Sequence, residues 1–386
     1  MTTSMTSATR RAPVLAALTC VLALAGAPSM AEPGVTADTI TIGQTTALTG
    51  PVADLGKDIV RGARVYFDAL NASGGIHGRK IVLVSRDDGY NAAKAAEFVK
   101  GFVADKSTFA IFNPLGTPAN MALLPLTQEA GMPVMAPYTG TLAVRSPDAV
   151  GVFNVRASYA DEATKLVEHL TTIGLTKIAV AYQNNAFGKE ALDATEAVLA
   201  KRNLKLAAAV SIENDASDAV AASEKMLASN PEAVLLGLAG KPTIAVIKYV
   251  AQHRRGLSMY ALSVLASAAN LKLLGPDGIG VTIAQVVPFP TSRTSPIARE
   301  YRQAMEKAGH TDVSHVSLEG YINARIMAEG LRRAGRDLTR KGFVDAMHSM
   351  KRYDIGGFEV SFGKGGTSGS HLVDLTLIGS DGRLIR

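Results

Sequence analysis

The chain is 386 residues long and carries 40 Lys and Arg against 34 Asp and Glu, with a single cysteine. Its formal charge of +6 is spread along the chain, and the short clusters Arg254-Arg255, Arg332-Arg333 and Arg340-Lys341 lack the interleaved aromatics of a nucleic-acid groove, so they read as solvated helix faces. The length argues against one hydrophobic core, since a single core stops growing near ~250 to 300 residues.

At the N-terminus, Arg10 and Arg11 precede an uncharged apolar run from Val14 to Ala27, and Ser29-Met30-Ala31 offers small residues for cleavage before Glu32. Residues 1–31 therefore read as a secretory signal peptide, and the apolar run falls short of the ~20 residues of a transmembrane helix. Ala12-Pro13 stands where twin-arginine export wants bulky apolar residues, which favours the general secretory route. Cys20 lies inside the run, behind a poor lipoprotein cleavage box, so the exported chain is expected to have no thiol and no disulfide. Removing 31 of 386 residues leaves 355, with a balance of 38 minus 34, or +4. A periplasmic protein of two domains is expected.

From residue 39 short β-rich runs alternate with stretches of helical period, the pattern of a parallel α/β sheet. The strands expected first are Thr39 to Thr46, Lys80 to Val84, Thr108 to Phe112 and Pro133 to Ala136. Helices striped by Ile59, Ala63, Phe67 and Leu70, and by Ala92, Ala96, Val99 and Val103, lie between them and complete one doubly wound sheet. After Arg156 the rhythm restarts with a helix striped by Ala163, Leu166, Leu170 and Ile173, then strands at Lys177 to Tyr182, Leu206 to Ile212, Ala233 to Gly237 and Val281 to Val286. Helical patterns return at Ser295 to Ala308 and Leu318 to Ala334, and Gly356 to Val360 and His371 to Ile378 read as strands. Two similar halves without a flexible tether fit a hinged pair or a rigid two-domain enzyme.

In open α/β sheets ligands sit beyond the carboxyl ends of the strands, so the loops there should carry function. They are Ala47-Leu48-Thr49-Gly50-Pro51, Asn113-Pro114-Leu115-Gly116-Thr117-Pro118, Pro137-Tyr138-Thr139-Gly140-Thr141 and Gln183-Asn184-Asn185-Ala186-Phe187-Gly188, all nearly free of charge. Neutral donors of this kind suit a carboxylate: Gly116 lets backbone approach closely, and Thr117 with the first amides of the following helix can donate to an anion. For any one loop alone, Gly-Thr-Pro reads as a helix start.

A reactive constellation is missing. No Gly-x-Gly-x-x-Gly follows a strand, Gly363-Lys364-Gly365-Gly366 lacks P-loop spacing, and Ser368 misses the nucleophile elbow by one residue. His310 and His315 have no carboxylate spaced to complete a zinc site, and Asp87-Asp88-Gly89 reads as turn chemistry. No enzyme, metal or cofactor is expected.

The chain resembles the type I periplasmic binding proteins, specifically the leucine/isoleucine/valine-binding protein family of ABC importers. The resemblance spans about residues 34 to 386 and is carried by Ile42-Gly43 leading to Leu48-Thr49-Gly50-Pro51, Gly62-Ala63, Asn71 through Arg79, Asp87-Asp88, Pro133 through Pro137, and Tyr182 through Phe187-Gly188. It implies an α/β fold of two Rossmann-like lobes joined by three crossovers near Val155, Val287 and Phe358, closing over a ligand that bridges them. The lobes would comprise residues 32–154 with 288–357, and 155–287 with 358–386. It also implies a monomeric protein that hands a small carboxylate-bearing solute, an amino acid or an organic acid, to the membrane permease of an ABC importer.

Carried over by position, the family's carboxylate and ammonium contacts fall on Leu115, Gly116, Thr117, Tyr138, Thr139 and Gly140, and a closing aromatic on Phe187. The family's second aromatic falls near Ala239, and its ammonium-pairing acid near Ser263 or Val264, so both are lost, as is the first-lobe disulfide. Burying an ammonium without a counter-charge costs several kcal/mol, so the departures point to an aliphatic or aromatic acid without one. Glu319 reads as a solvated helix residue rather than a replacement acid, and Arg156 as a hinge-region salt bridge, although either it or Tyr159 is placed to reach the cleft mouth. The same fold also serves binding proteins that report a ligand to a membrane sensor, and sequence leaves transport and sensing both open.

Overall fold

A computed structural model describes residues 1–6, 32–363 and 367–386. The expected signal segment from Arg10 to Ala31, with Cys20, lies outside the described residues, as do Lys364, Gly365 and Gly366.

The first half builds β1 (Thr39–Thr46), α1 (Ala53–Ala72), β2 (Lys80–Asp87), α2 (Ala92–Ala104), β3 (Ala110–Phe112), α3 (Thr117–Glu129), β4 (Val134–Met135) and β5 (Val152–Phe153). The second builds α4 (Tyr159–Thr172), β6 (Ile178–Gln183), α5 (Ala186–Ala200), β7 (Ala208–Ile212), α6 (Ala219–Ala228), β8 (Ala233–Gly237), α7 (Lys241–His253), β9 (Ser258–Ala261), α8 (Ala268–Leu274) and β10 (Thr282–Gln285). The chain then adds α9 (Pro296–Lys307), α10 (His315–Ala334), α11 (Arg340–His348), β11 (Tyr353–Asp354), β12 (Glu359–Val360), β13 (Asp374–Ile378) and β14 (Leu384–Ile385).

The first sheet runs β2-β1-β3-β4-β5, all parallel. The second contains β7-β6-β8-β9-β10, the same parallel order, and is extended by β13 antiparallel to β10 and β14 antiparallel to β13. Each half is thus a doubly wound sheet whose strand ends face a topological switch point. Central strands such as β8, Ala-Val-Leu-Leu-Gly, are buried at every residue, as a sheet covered on both faces requires.

The helices α9, α10 and α11 return to the first half. Phe67, Phe112, Phe153, Ile322, Met327 and Phe343 share one core there, and α10 packs along α1. Phe358, Val360 and Phe362 belong to the same cluster, so the chain is still in first-lobe packing at Phe358 and rejoins the second sheet only with β13. The stripe expected for α2 keeps Val99 but is otherwise displaced: Ala95 and Phe102 are buried with it, while Ala92, Ala96 and Val103 are only half-buried, and the Phe102 ring fills the space beside the bare α-carbon of Gly43. Ile173, expected on the α4 stripe, caps that helix and is exposed. Among the described residues no helix is long and apolar enough to cross a membrane.

Candidate functional site

The two sheets end against one another at a small enclosed cavity. The first lobe contributes Val52, Leu55, Tyr90, Leu115, Gly116, Thr117 and Tyr138, and the second Tyr159, Phe187, Ala239 and Val264. Six of the expected ligand residues, Leu115, Gly116, Thr117, Tyr138, Phe187 and Ala239, therefore line one cavity. Thr139 and Gly140 lie just behind it, and Ser263 stands beside Val264 but does not line the space.

Local chemistry explains each placement. Leu115 N–H donates to the Thr45 carbonyl at 3.2 Å, and Gly116 N–H and Tyr138 N–H exchange bonds with the opposing loop, at 3.1 Å to Tyr138 and 2.8 Å to Pro114. Gly116 then starts α3 at φ 95°, where a Cβ would lie 2.6 Å from the Tyr90 ring. A glycine is needed there both for the left-handed backbone and for the tyrosine that covers it. The Thr117 and Thr139 hydroxyls bond each other at 2.7 Å, tying the first turn of α3 to the loop after β4. In the second lobe Asn185 caps α5 by accepting from the amides of Phe187 and Gly188, which fixes the Phe187 ring 5.1 Å from Tyr159. The Ala239 amide is already taken by the Gln183 side chain at 3.0 Å, so Ala239 offers the cavity a methyl group.

The cavity encloses about 10 Å³, room for one water at most. Its walls are held together across the lobes: Lys241 N–H donates to Pro51 O at 3.0 Å, Ala268 N–H to the Asp58 carboxylate at 3.2 Å, and Leu142 N–H to Glu190 at 2.6 Å. A solute can enter only when the lobes part. Wider grooves exist, one of about 970 Å³ between α1 and α9, but that one is open to solvent and takes only Leu48 from the strand-end loops.

Behind Tyr138 lies a different environment. Arg156 is buried with its guanidinium 4.5 Å from the Tyr138 ring centre, 3.5 Å from Glu162 and 3.7 Å from Glu319, and it donates to the Ser263 hydroxyl. Burial alone would lower the Arg156 pKa, but Glu319, Tyr138 and Glu162 raise it beyond that, so the cation is held. Glu162 accepts from Ser263 N–H at 2.7 Å and Ser263 Oγ at 3.1 Å, and burial pushes its carboxyl above the ordinary range against the pull of Arg156. Glu319 is pushed to about 7, chiefly by burial.

Glu319 is thus not the solvated helix residue its position suggests: it is 3% exposed. Arg156 forms the expected salt bridge, but a buried one, and it is Tyr159 that reaches the cavity. Sequence reasoning missed Val52, Leu55, Tyr90 and Glu162. Asp87 and Asp88 do work as turn chemistry: Asp87 accepts from the amides of Leu48, Thr49 and Gly89, and Asp88 from that of Tyr90. Those bonds place the Tyr90 ring over Gly116. Among the described residues no three His, Cys, Asp or Glu side chains converge as metal ligands.

Comparison with known proteins agrees with this architecture. A family profile described as periplasmic binding protein matches residues 39–383. A Leu/Ile/Val-binding protein homolog of Brucella melitensis is 24% identical over 324 residues, covering 81% of this chain and 84% of the relative. A chemotactic signal transduction system substrate-binding protein of Halobacterium salinarum is 27% identical over 284 residues, covering 71% of this chain and 67% of the relative. The crystal structure of a substrate-binding periplasmic protein from Ralstonia solanacearum superposes with a TM-score of 0.84 at 33% identity, covering 90% of this chain and 99% of that one. That family is one of solute-binding proteins and not of enzymes. With nearly its whole length matched and its two repeated sheets meeting at the expected loops, the chain belongs to the periplasmic binding protein family.

Proposed function

We propose that this protein is the extracytoplasmic substrate-binding component of an ABC importer of the branched-chain amino acid type, and that its cleft captures a small aliphatic or aromatic carboxylic acid without an ammonium group. The observation that carries the reading is the composition of the cavity wall: four aromatic rings, Tyr90, Tyr138, Tyr159 and Phe187, and not one carboxylate. The two acids nearby, Glu162 and Glu319, both pair with Arg156. An ammonium in this cavity would be buried without a counter-charge, at a cost of several kcal/mol. A planar or branched apolar body suits the rings, and the hydroxyls of Thr117 and Tyr138 with the start of α3 suit its carboxylate.

Capture follows from hinge closure. The solute enters the open cleft against the first lobe, and the second lobe brings Phe187 and Tyr159 over it. Only the closed form offers both surfaces, so binding shifts the population toward it, and the permease reads that form. Export to the periplasm is part of the same reading.

A thermal-shift panel of aliphatic acids, aromatic acids, dicarboxylates and amino acids tests it, because a solute at 100 times its Kd stabilises by about 2.7 kcal/mol. Monocarboxylic acids are expected to raise the melting temperature. Shifts confined to amino acids would refute the reading. Presentation of the same acids to a membrane receptor is the second reading, supported by the similarity to the chemotactic relative; co-purification with a permease rather than a receptor decides between them.

A further inference from the structure

Three buried charged side chains, Arg156, Glu162 and Glu319, lie together behind Tyr138, with the part-buried Arg145 beside them. Arg145 and Arg156 face Glu162 and Glu319, so the group is neutral when all are ionised and carries +1 when one acid holds a proton. The two acids are not equivalent. Glu162 accepts two hydrogen bonds from Ser263 and is approached by Arg156 at 3.5 Å. Glu319 has only the 3.7 Å approach of Arg156 Nε, too long for a hydrogen bond. On the donor side, Arg156 Nε and Nη1 and the Tyr138 hydroxyl are all buried without a hydrogen-bond partner among the described residues. Tyr138 is the shared wall, with the cavity on one side and the guanidinium on the other.

We propose that Glu319 is a specificity-determining residue acting through Arg156 and Tyr138: when it holds a proton the cluster presents net positive charge to the cavity and favours a carboxylate, and when it is ionised it cancels that charge. The proposal rests on the reading of the cavity as a carboxylate site and adds to it that capture of the anion draws a proton onto Glu319 where that group is ionised in the free protein.

The surroundings support a group poised to change charge. From the crossover and α4, Glu319 faces Arg156 and Glu162; from the loop after β4 and the turn that follows, it faces Tyr138 and Arg145. Arg145 has Asp161 and Glu190 as outer partners. On its own helix His315 lies one turn earlier and is kept neutral by burial, and Asp58 on the packed α1 is occupied by Arg61, Ser314 and the Ala268 amide. Burial holds the Glu319 carboxyl near 7 before any solute arrives. A carboxylate entering beside Tyr138 adds a like charge, which raises that carboxyl further. By linkage, affinity is highest where Glu319 is already protonated and falls as pH rises above about 7, by at most about tenfold per pH unit.

The test is calorimetric titration of the purified protein with 4-methylpentanoate and with benzoate from pH 6 to pH 9, in two buffers of different ionisation enthalpy, for wild type and Glu319→Gln. The expected result is affinity at least about fivefold weaker at pH 9 than at pH 6, proton uptake that is near zero at pH 6 and rises to a maximum above about pH 7, and a flat profile in the variant. Proton uptake in wild type stands as evidence even if the variant folds poorly. Binding with the same affinity at both ends of the range, or a pH dependence that survives in Glu319→Gln, overturns the role of Glu319 and leaves the carboxylate reading intact. No binding of either acid at any pH overturns both.

Discussion

The two faces of the Tyr138 ring separate two kinds of environment. On one face is a cavity walled by aromatic and aliphatic side chains, with hydroxyls and backbone as its polar groups. On the other are the Arg156 guanidinium and two carboxylates sealed from solvent, with the part-buried Arg145 beside them. The cavity can be altered one contact at a time, because each wall residue is fixed by its own loop. The cluster cannot, because each charge there is tolerable only through its neighbours. Contact with the solute and charge felt by the solute are therefore set by different residues.

The largest effect should come from the charged side. Arg156→Met leaves Glu162 and Glu319 buried with no cation between them and is expected to cost about 3 to 5 kcal/mol in denaturant unfolding. A loss below about 1 kcal/mol would mean that the acids find other partners and that the two faces are less distinct than described. Next is the pH dependence of that face without solute. Glu319 has a folded pKa of about 7 against an ordinary 4.5, so its contribution to stability is fully present below pH 4.5 and is lost as pH rises through about 7. Glu319→Gln should reduce the decline over this window by at most about 1.4 kcal/mol per pH unit, read from melting curves.

On the cavity side the effects should be smaller and appear in binding. Phe187→Ala removes an aromatic wall and is expected to weaken affinity by about 1.5 to 3 kcal/mol with the fold retained. Gly240→Ala sharpens the comparison further, since Gly240 itself neither lines the cavity nor belongs to the cluster, although it adjoins Ala239 and Val52 of the wall. At φ 62° its added Cβ would lie 2.1 Å from Pro51 O across the cleft. Strain of about 1 to 3 kcal/mol should fall mainly on the closed form, giving weaker binding and a larger radius of gyration by X-ray scattering.

The paired α/β architecture was legible because β1, β6, β8 and β10 are short β-rich runs separated by helical periods, and the loops after β1, β3, β4 and β6 stood out by their Gly, Thr and aromatic content. Strands β5 and β9 were not, because two and four residues of ordinary apolar sequence carry no periodicity. Glu319 escaped for a different reason. Fifteen of the twenty residues of α10 are buried, so position on that helix does not tell a solvated acid from an interior one. Glu162 is a first-turn acid of α4 beside the capping residues Ser158 and Asp161, and local chemistry gives no sign of Arg156 and Ser263 closing over it. Tyr90 depended on turn geometry: its φ of 67° directs the chain so that the ring lies over Gly116.

The central claim is that this cleft admits a carboxylate and refuses an ammonium. Leucine and 4-methylpentanoic acid share a carbon skeleton and a carboxylate and differ only by the amino group, so calorimetric titration of the same protein with both at pH 6.5 isolates that difference. The account predicts that 4-methylpentanoate binds at least about a hundredfold more tightly, the equivalent of about 2.7 kcal/mol. Equal affinity, or preference for leucine, would contradict it and show that an acid reaches the ammonium when the lobes close.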